Sequence, residues 1–127
     1  MTEGFILNSP PKRKRDVVIE RSGRITLRSR PCRALSLNAG DRVVFYMSAS
    51  QMYVYKDNDA PLGLRLSGRH SQLHVCSAQT ARNIIRYTDG AAGLAHIELQ
   101  ASAVLSSLTV DGVRHDAIAI INIVSKY

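Results

Sequence analysis

The side chains best equipped for chemistry are cations crowded into one early stretch. Between residues 12 and 33 stand Lys12, Arg13, Lys14, Arg15, Arg21, Arg24, Arg28, Arg30 and Arg33, against only Asp16 and Glu20. That stretch carries the whole net charge of +7, and the rest of the chain is neutral. A guanidinium presents a planar fork of donors that fits phosphate oxygens and the O6/N7 edge of guanine. A basic segment inside an otherwise balanced chain reads as an electrostatic footprint for nucleic acid. The plainer alternative is a basic arm followed by an ordinary solvated strand face.

Other constellations carry less. His74 and Cys76 lie two apart on one strand face, while His70, His96 and His115 are scattered. Zinc needs about four converging ligands. His70 and His74, four apart along extended chain, would be separated by about 13 Å. His115-Asp116, with Ser106 or Ser107 as nucleophile, suggests a catalytic set, but adjacent strand residues face opposite sides. Gly63, Gly68, Gly90 and Gly93 match neither phosphate-loop spacing nor the dinucleotide fingerprint. The expectation is a protein that is not an enzyme, with no cofactor, no metal site and no small-molecule substrate.

These cations need a scaffold, and 127 residues supply one domain, or two half-domains sharing a core. With 45% hydrophobic and 21% charged residues, wholesale disorder is excluded. No apolar run approaches the ~18–20 residues that would span a bilayer, and the N-terminus lacks the order of a secretory signal. Cys32 and Cys76 make no disulfide framework, so a cytoplasmic setting with no membrane contact is expected. Tryptophan is absent and aromatics are only 6%, which disfavours base stacking on an aromatic platform.

Alternation then places the residues on elements. Val17-Val18-Ile19 reads as a strand, Ser22-Gly23 as a break, and Arg24 to Arg28 as a strand with Ile25 and Leu27 inward and Arg24, Thr26 and Arg28 outward. Ser29 is placed to cap a short helix that tolerates Pro31 in its first turn. Asn38 to Asp41 is a turn, and Val43 to Met47 and Met52 to Tyr55 form a hairpin about Ser48-Ala49-Ser50-Gln51. The chain divides into a basic arm (1–15), a first half (16–57), a linker (58–61) and a second half (62–127). In the second half Leu62, Leu64 and Leu66 alternate, Ser67-Gly68 is a break, and Leu73 to Val75 is a strand. Ser77 caps a helix to about Tyr87, Asp89-Gly90 ends it, and Leu94 to Leu99 is a strand that Ala101 to Val110 continues or follows. Asp111-Gly112 turns the chain into a last strand, Ala117 to Val124. Both halves therefore read β-β-α-β-β. A duplicated chain would close a pseudo-twofold barrel by itself; a chance likeness between halves of a small α+β chain is the alternative.

Gly23-Arg24-Ile25-Thr26-Leu27, then Leu35 and Leu37, then Gly40-Asp41-Arg42-Val43-Val44-Phe45-Tyr46 resembles, without a gap, the AbrB/MazE-type (SpoVT-AbrB) swapped-hairpin DNA-binding domain. The resemblance covers about residues 16–57. It departs where the family's proline is Arg28, where a basic helix position is Cys32, and where the glycine between the two helix-end leucines is Ser36. The resemblance implies a mostly β, swapped-hairpin barrel with short helices that forms homo-oligomers and binds double-stranded DNA. It implies that Arg24 and Arg33 occupy DNA-contacting positions; Arg28 and Arg30 add charge to the same segment, with Arg21 and the Lys12, Arg13, Lys14 and Arg15 arm alongside. The function expected is transcription regulation in a bacterial-type system. The alternatives are a structural or assembly protein of a phage or mobile element, and the antitoxin of a toxin-antitoxin pair.

Overall fold

In the computed structural model, which describes residues 16–69, 72–88 and 90–121 together with Gly4 and Leu7, short alternating segments form the strands. Val17–Glu20 (β1) and Arg24–Leu27 (β2) make an antiparallel pair, with Val17, Ile19, Ile25 and Leu27 fully buried on one side. Ser29–Ala34 (α1) follows at once. Arg42–Ser48 (β3) and Gln51–Lys56 (β4) form a hairpin, and Leu64–Arg65 (β5) adds two residues to the far side of β3. Ser67–Arg69 (β6) pairs with Gln72–Cys76 (β7), and Ala78–Tyr87 (α2) follows. His96–Val110 (β8) and Val113–Ile121 (β9) are a long hairpin whose register shifts between Ala101 and Leu105.

The strands lie in the order β5-β3-β4-β9-β8-β1-β2-β7-β6, every pairing antiparallel. The two end strands are consecutive pieces of one extended segment separated only by Leu66. The Leu66 N–H donates to the Asp41 carbonyl and its own carbonyl accepts from the Gly40 N–H, both at 2.8 Å. One short stretch thus hydrogen-bonds β3 with its front and β7 with its rear, and the sheet curls into a nearly closed barrel.

The barrel has one main core. Val17, Ile19, Ile25, Leu27, Val43 and Val54 meet Leu66, Leu73, Val75, Ile97, Leu99, Ile118 and Ile120 there. Residues before and after the linker share it, so neither half encloses an apolar interior alone. Each fully buried Ile, Leu or Val contributes roughly 1.5–3 kcal/mol. A smaller cluster lies on the opposite face of β3 and β4, where Tyr55, Leu108 and Ala117 pack with Val44, Tyr46, Tyr53 and Val110.

The helices sit against this core through short apolar faces. α2 has the cap expected: Ser77 Oγ accepts from the Thr80 N–H at 3.2 Å, and Ala81, Ile84 and Ile85 are buried at helical spacing. α1 departs from expectation. Its N-cap is Arg28, without a side-chain bond, and Ser29 is the first helical residue.

Other expectations are corrected too. Ser67-Gly68 is strand rather than break, Leu62 lies in an exposed turn before β5, and the last strand begins at Val113 rather than Ala117. Of the two readings for Ala101 to Val110, continuation holds: residues 96–110 form a single strand, and its register shift absorbs the change of face that broke the alternation.

Candidate nucleic-acid interface

β2 positions the first arginines. Its register on β1 and β7 drives Ile25 and Leu27 into the core and turns Arg24 and Arg28 outward at its two ends, about 13 Å apart. Thr26, between them, is only 7% exposed, so the expected open outward row is interrupted at its centre. At the near end Gly23 holds φ +129, and a Cβ there would come within 2.9 Å of the Ala78 nitrogen. The Ser77 N–H also donates to the Gly23 carbonyl. The β1–β2 turn therefore rests on the start of α2, which fixes Arg21 and Arg24 beside it.

At the far end, α1 buries Pro31 and Cys32 and turns Arg30 and Arg33, three apart, to its other side. Arg30 is the exception among the site arginines. Its Nε lies 3.9 Å from Asp16 Oδ1, and its side chain is 35% exposed. Asp16 is itself 4% exposed, and its Oδ2 accepts from the Ala101 N–H at 2.8 Å. That carboxylate joins β1, α1 and β8, so Arg30 is in part a structural cation. No carboxylate of the described residues comes within 4.0 Å of Arg21, Arg24, Arg28 or Arg33, and all four are exposed. Glu20 is level with Arg24 across the β1–β2 ladder continued by one residue, yet makes no such pair. Lys12, Arg13, Lys14 and Arg15 lie outside the described residues.

Cys32 and Ser36, where the sequence departs from the motif it resembles, have local roles. The Cys32 Sγ–H donates to the Leu27 carbonyl at 3.3 Å, and burial pushes the thiol above its usual range, partly offset by a backbone hydrogen bond from Leu73. It anchors α1 to the end of β2. Ser36 holds φ +52 at the end of α1, where the Leu37 N–H closes back on the Cys32 carbonyl at 2.8 Å. That is the left-handed position at which helices favour glycine.

Sequence reasoning missed three arginines of the closing segment and its neighbour. Arg69 is exposed on β6 opposite Gln72, and the β2–β7 ladder continued by one residue sets Gln72 level with Arg28. Arg65, on β5, stands directly opposite Arg42, on β3, and both are exposed. The available signal was the alternation Leu64, Leu66 against Arg65, Arg69, which the reading of Ser67-Gly68 as a break cut in two. The helix arginines Arg82 and Arg86 are engaged locally: Arg82 Nε donates to the Ala78 carbonyl, and Arg86 lies 5.7 Å from the Tyr87 ring centre.

The remaining polar residues are dispersed. His115 stacks on Tyr55 with ring centres 4.3 Å apart, while Asp116 beside it is exposed. His96 Nε2 is 3.2 Å from Glu98 Oε1. Among the described residues no three His, Cys, Asp or Glu converge as a metal site, and no helix is long and apolar enough to cross a membrane. A groove of about 310 Å³ between β3 and α2 is lined mainly by apolar side chains such as Phe45, Met47, Leu62, Leu64 and Ile84.

Fold and site together define a small, nearly closed antiparallel β-barrel with an arginine-bearing outer surface. The chain matches no protein-family model, no curated protein and no solved structure.

Proposed function

We propose that the protein is a cytoplasmic, non-enzymatic regulator that binds double-stranded DNA through Arg24, Arg28 and Arg33. Arg21 and the 12–15 arm add charge, and Arg30 braces the site through Asp16. One observation carries the reading: exposed guanidinium groups with no carboxylate partner among the described residues are held outward by a strand and helix whose other sides are buried. Fixed, unpaired cations lose little freedom on meeting phosphates, and release of counterions supplies the affinity.

The ladder supports a swapped-hairpin barrel duplicated within one chain. Exchange β1 with the β5–β6 segment, β2 with β7, α1 with α2, β3 with β8 and β4 with β9. The pair β1·β2 then falls on β6·β7, β3·β4 on β8·β9, and β1·β8 on β5·β3, while β2·β7 and β4·β9 fall on themselves. Each half lends its first strand to the other. The cationic face of the first half has no equal in the second, so a two-faced DNA reader requires a homo-oligomer.

Binding of a labelled duplex by the Arg24→Ala/Arg28→Ala/Arg33→Ala variant is the test. About five to seven neutralised phosphates give the wild type a slope of log K against log salt of about −4 to −6. The triple variant is expected to lose about half that slope and at least tenfold in affinity, with thermal unfolding nearly unchanged. Equal affinity in the two proteins sinks the reading.

A second reading, self-assembly as a structural protein, is favoured by one feature. Val104, Leu105, Val113 and Ile121 are exposed on the β8–β9 hairpin. It predicts a discrete high-order particle in light scattering, with only weak and sequence-indifferent DNA binding.

A further inference from the structure

We propose that Arg42 and Arg65 form a second phosphate contact, so that the duplex runs across the strand that closes the barrel instead of ending at β2. The proposal rests on the DNA-binding reading above.

The starting observation is a like-charge pair. Arg42 and Arg65 are direct partners on the β3–β5 ladder, and both are exposed. Like charges directly opposite one another on a sheet repel and destabilise it. The acids nearest in sequence do not relieve this pair. Asp41 Oδ2 accepts from the Asn38 N–H at 2.9 Å and lies 3.8 Å from Lys56 Nζ, while its Oδ1 accepts from Asn58 Nδ2 at 3.2 Å. Asp57 Oδ1 accepts from the Asp59 N–H at 3.0 Å. No carboxylate of the described residues comes within 4.0 Å of either guanidinium. Two fixed guanidinium groups side by side are complementary to a phosphate, whose oxygens take both forks.

The pair also lies on a continuous line with the first site. Along the closing segment Leu66 points into the core, while Arg65, Ser67 and Arg69 alternate to the outside. Arg69, through Gln72, reaches the level of Arg28. Four residues of strand separate Arg65 from Arg69 by about 13 Å. A free inorganic ion is too small to engage both ends of that line. Duplex DNA, with a charge every ~1.7 Å of its axis, is not.

The experiment measures duplex binding by fluorescence anisotropy at several salt concentrations for the wild type, Arg42→Gln/Arg65→Gln and Arg65→Lys. Losing one to two phosphate contacts is expected to reduce the steepness of the salt dependence by about 1–2. It should weaken random and genomic duplexes by the same factor, whereas Arg65→Lys keeps the wild-type slope. Thermal unfolding without DNA reports the fold, and the double variant is expected to melt no lower than the wild type because the like-charge pair is gone. A wild type that binds DNA beside a double variant of identical slope and affinity overturns this inference and leaves the Arg24–Arg28–Arg33 site standing. A wild type that binds no DNA overturns both. Inorganic phosphate that raises the melting temperature of the wild type but not of the double variant, with DNA slopes equal, identifies a free anion as the ligand and overturns the duplex contact.

Discussion

At the scale of single residues, the environment decides which of several similar side chains is left to act. Arg30 and Arg33 share one helix face, yet only Arg30 meets Asp16. Cys32 and Cys76 divide more sharply. Cys32 is buried under α1, whereas Cys76 is exposed opposite Arg24. Iodoacetamide is therefore expected to alkylate Cys76 rapidly in the native protein, and Cys32 only at the rate of unfolding. The same burial has a sign in pH. The folded state raises the Cys32 thiol above its ordinary value of 9.0, chiefly by desolvation. The unfolded chain then gives up its proton first, and stability falls as pH climbs from about 9.0 toward the raised value. Tyr55, also raised by burial and then by Asp57, extends the loss above about 10.0. Urea unfolding between pH 7 and 10.5 checks this: a flat profile to about pH 8 and a decline beyond, shallower in Cys32→Ala, is the expected outcome.

At the scale of elements, what a helix or hairpin needs at its ends is partly visible in residue type and partly not. Ser36 at φ +52 makes α1 end in a conformation that a Cβ disfavours by roughly 1–2 kcal/mol. Ser36→Gly is expected to raise stability by about 1 kcal/mol in urea unfolding, without moving the arginines of α1. A neutral or destabilising result means that the serine hydroxyl holds the turn. Several elements were legible because their signals are local. Ser77 capped α2, Asp111-Gly112 made the β8–β9 turn with φ +50 and +80, and the Ile25/Leu27 alternation gave β2. Other features depend on neighbours distant in sequence. Nothing within residues 67–69 tells that β7 will pair with them, and a glycine there reads as a break. The β3–β4 hairpin was read from its two flanking strands, although Ala49 and Ser50, at φ +48 and +67, are not the residues that usually advertise such a turn. The candidate site was legible to the same degree: clustered charge pointed to Arg24, Arg28, Arg30 and Arg33, while Arg42 and Arg65 become neighbours only through a ladder spanning the linker.

At the scale of the whole molecule, closure is what turns separate hairpins into a platform. Among the described residues nine strands form one sheet whose ends are joined by residues 64–69, and Leu66 at the joint is 1% exposed among core residues of both halves. Its backbone also ties Gly40 and Asp41 to the closing segment. Truncating this side chain leaves a cavity where β3, β5 and β6 meet, and such a loss costs about 2–5 kcal/mol. Leu66→Ala is therefore expected to lower stability by that amount, in one transition seen alike by far-ultraviolet circular dichroism and tyrosine fluorescence. The tyrosines of β3 and β4 report one side of the barrel, and circular dichroism reports all of it. If the halves were separate folding units, the larger part of the fluorescence transition, set by Tyr46, Tyr53 and Tyr55, would stay in place while part of the dichroism melted early. A shared transition also has a functional corollary. Arg28, Arg69, Arg65 and Arg42 keep their spacing only while the closing segment is seated, so on the proposed DNA-binding reading the variant should lose DNA affinity in step with the fraction unfolded, and not before.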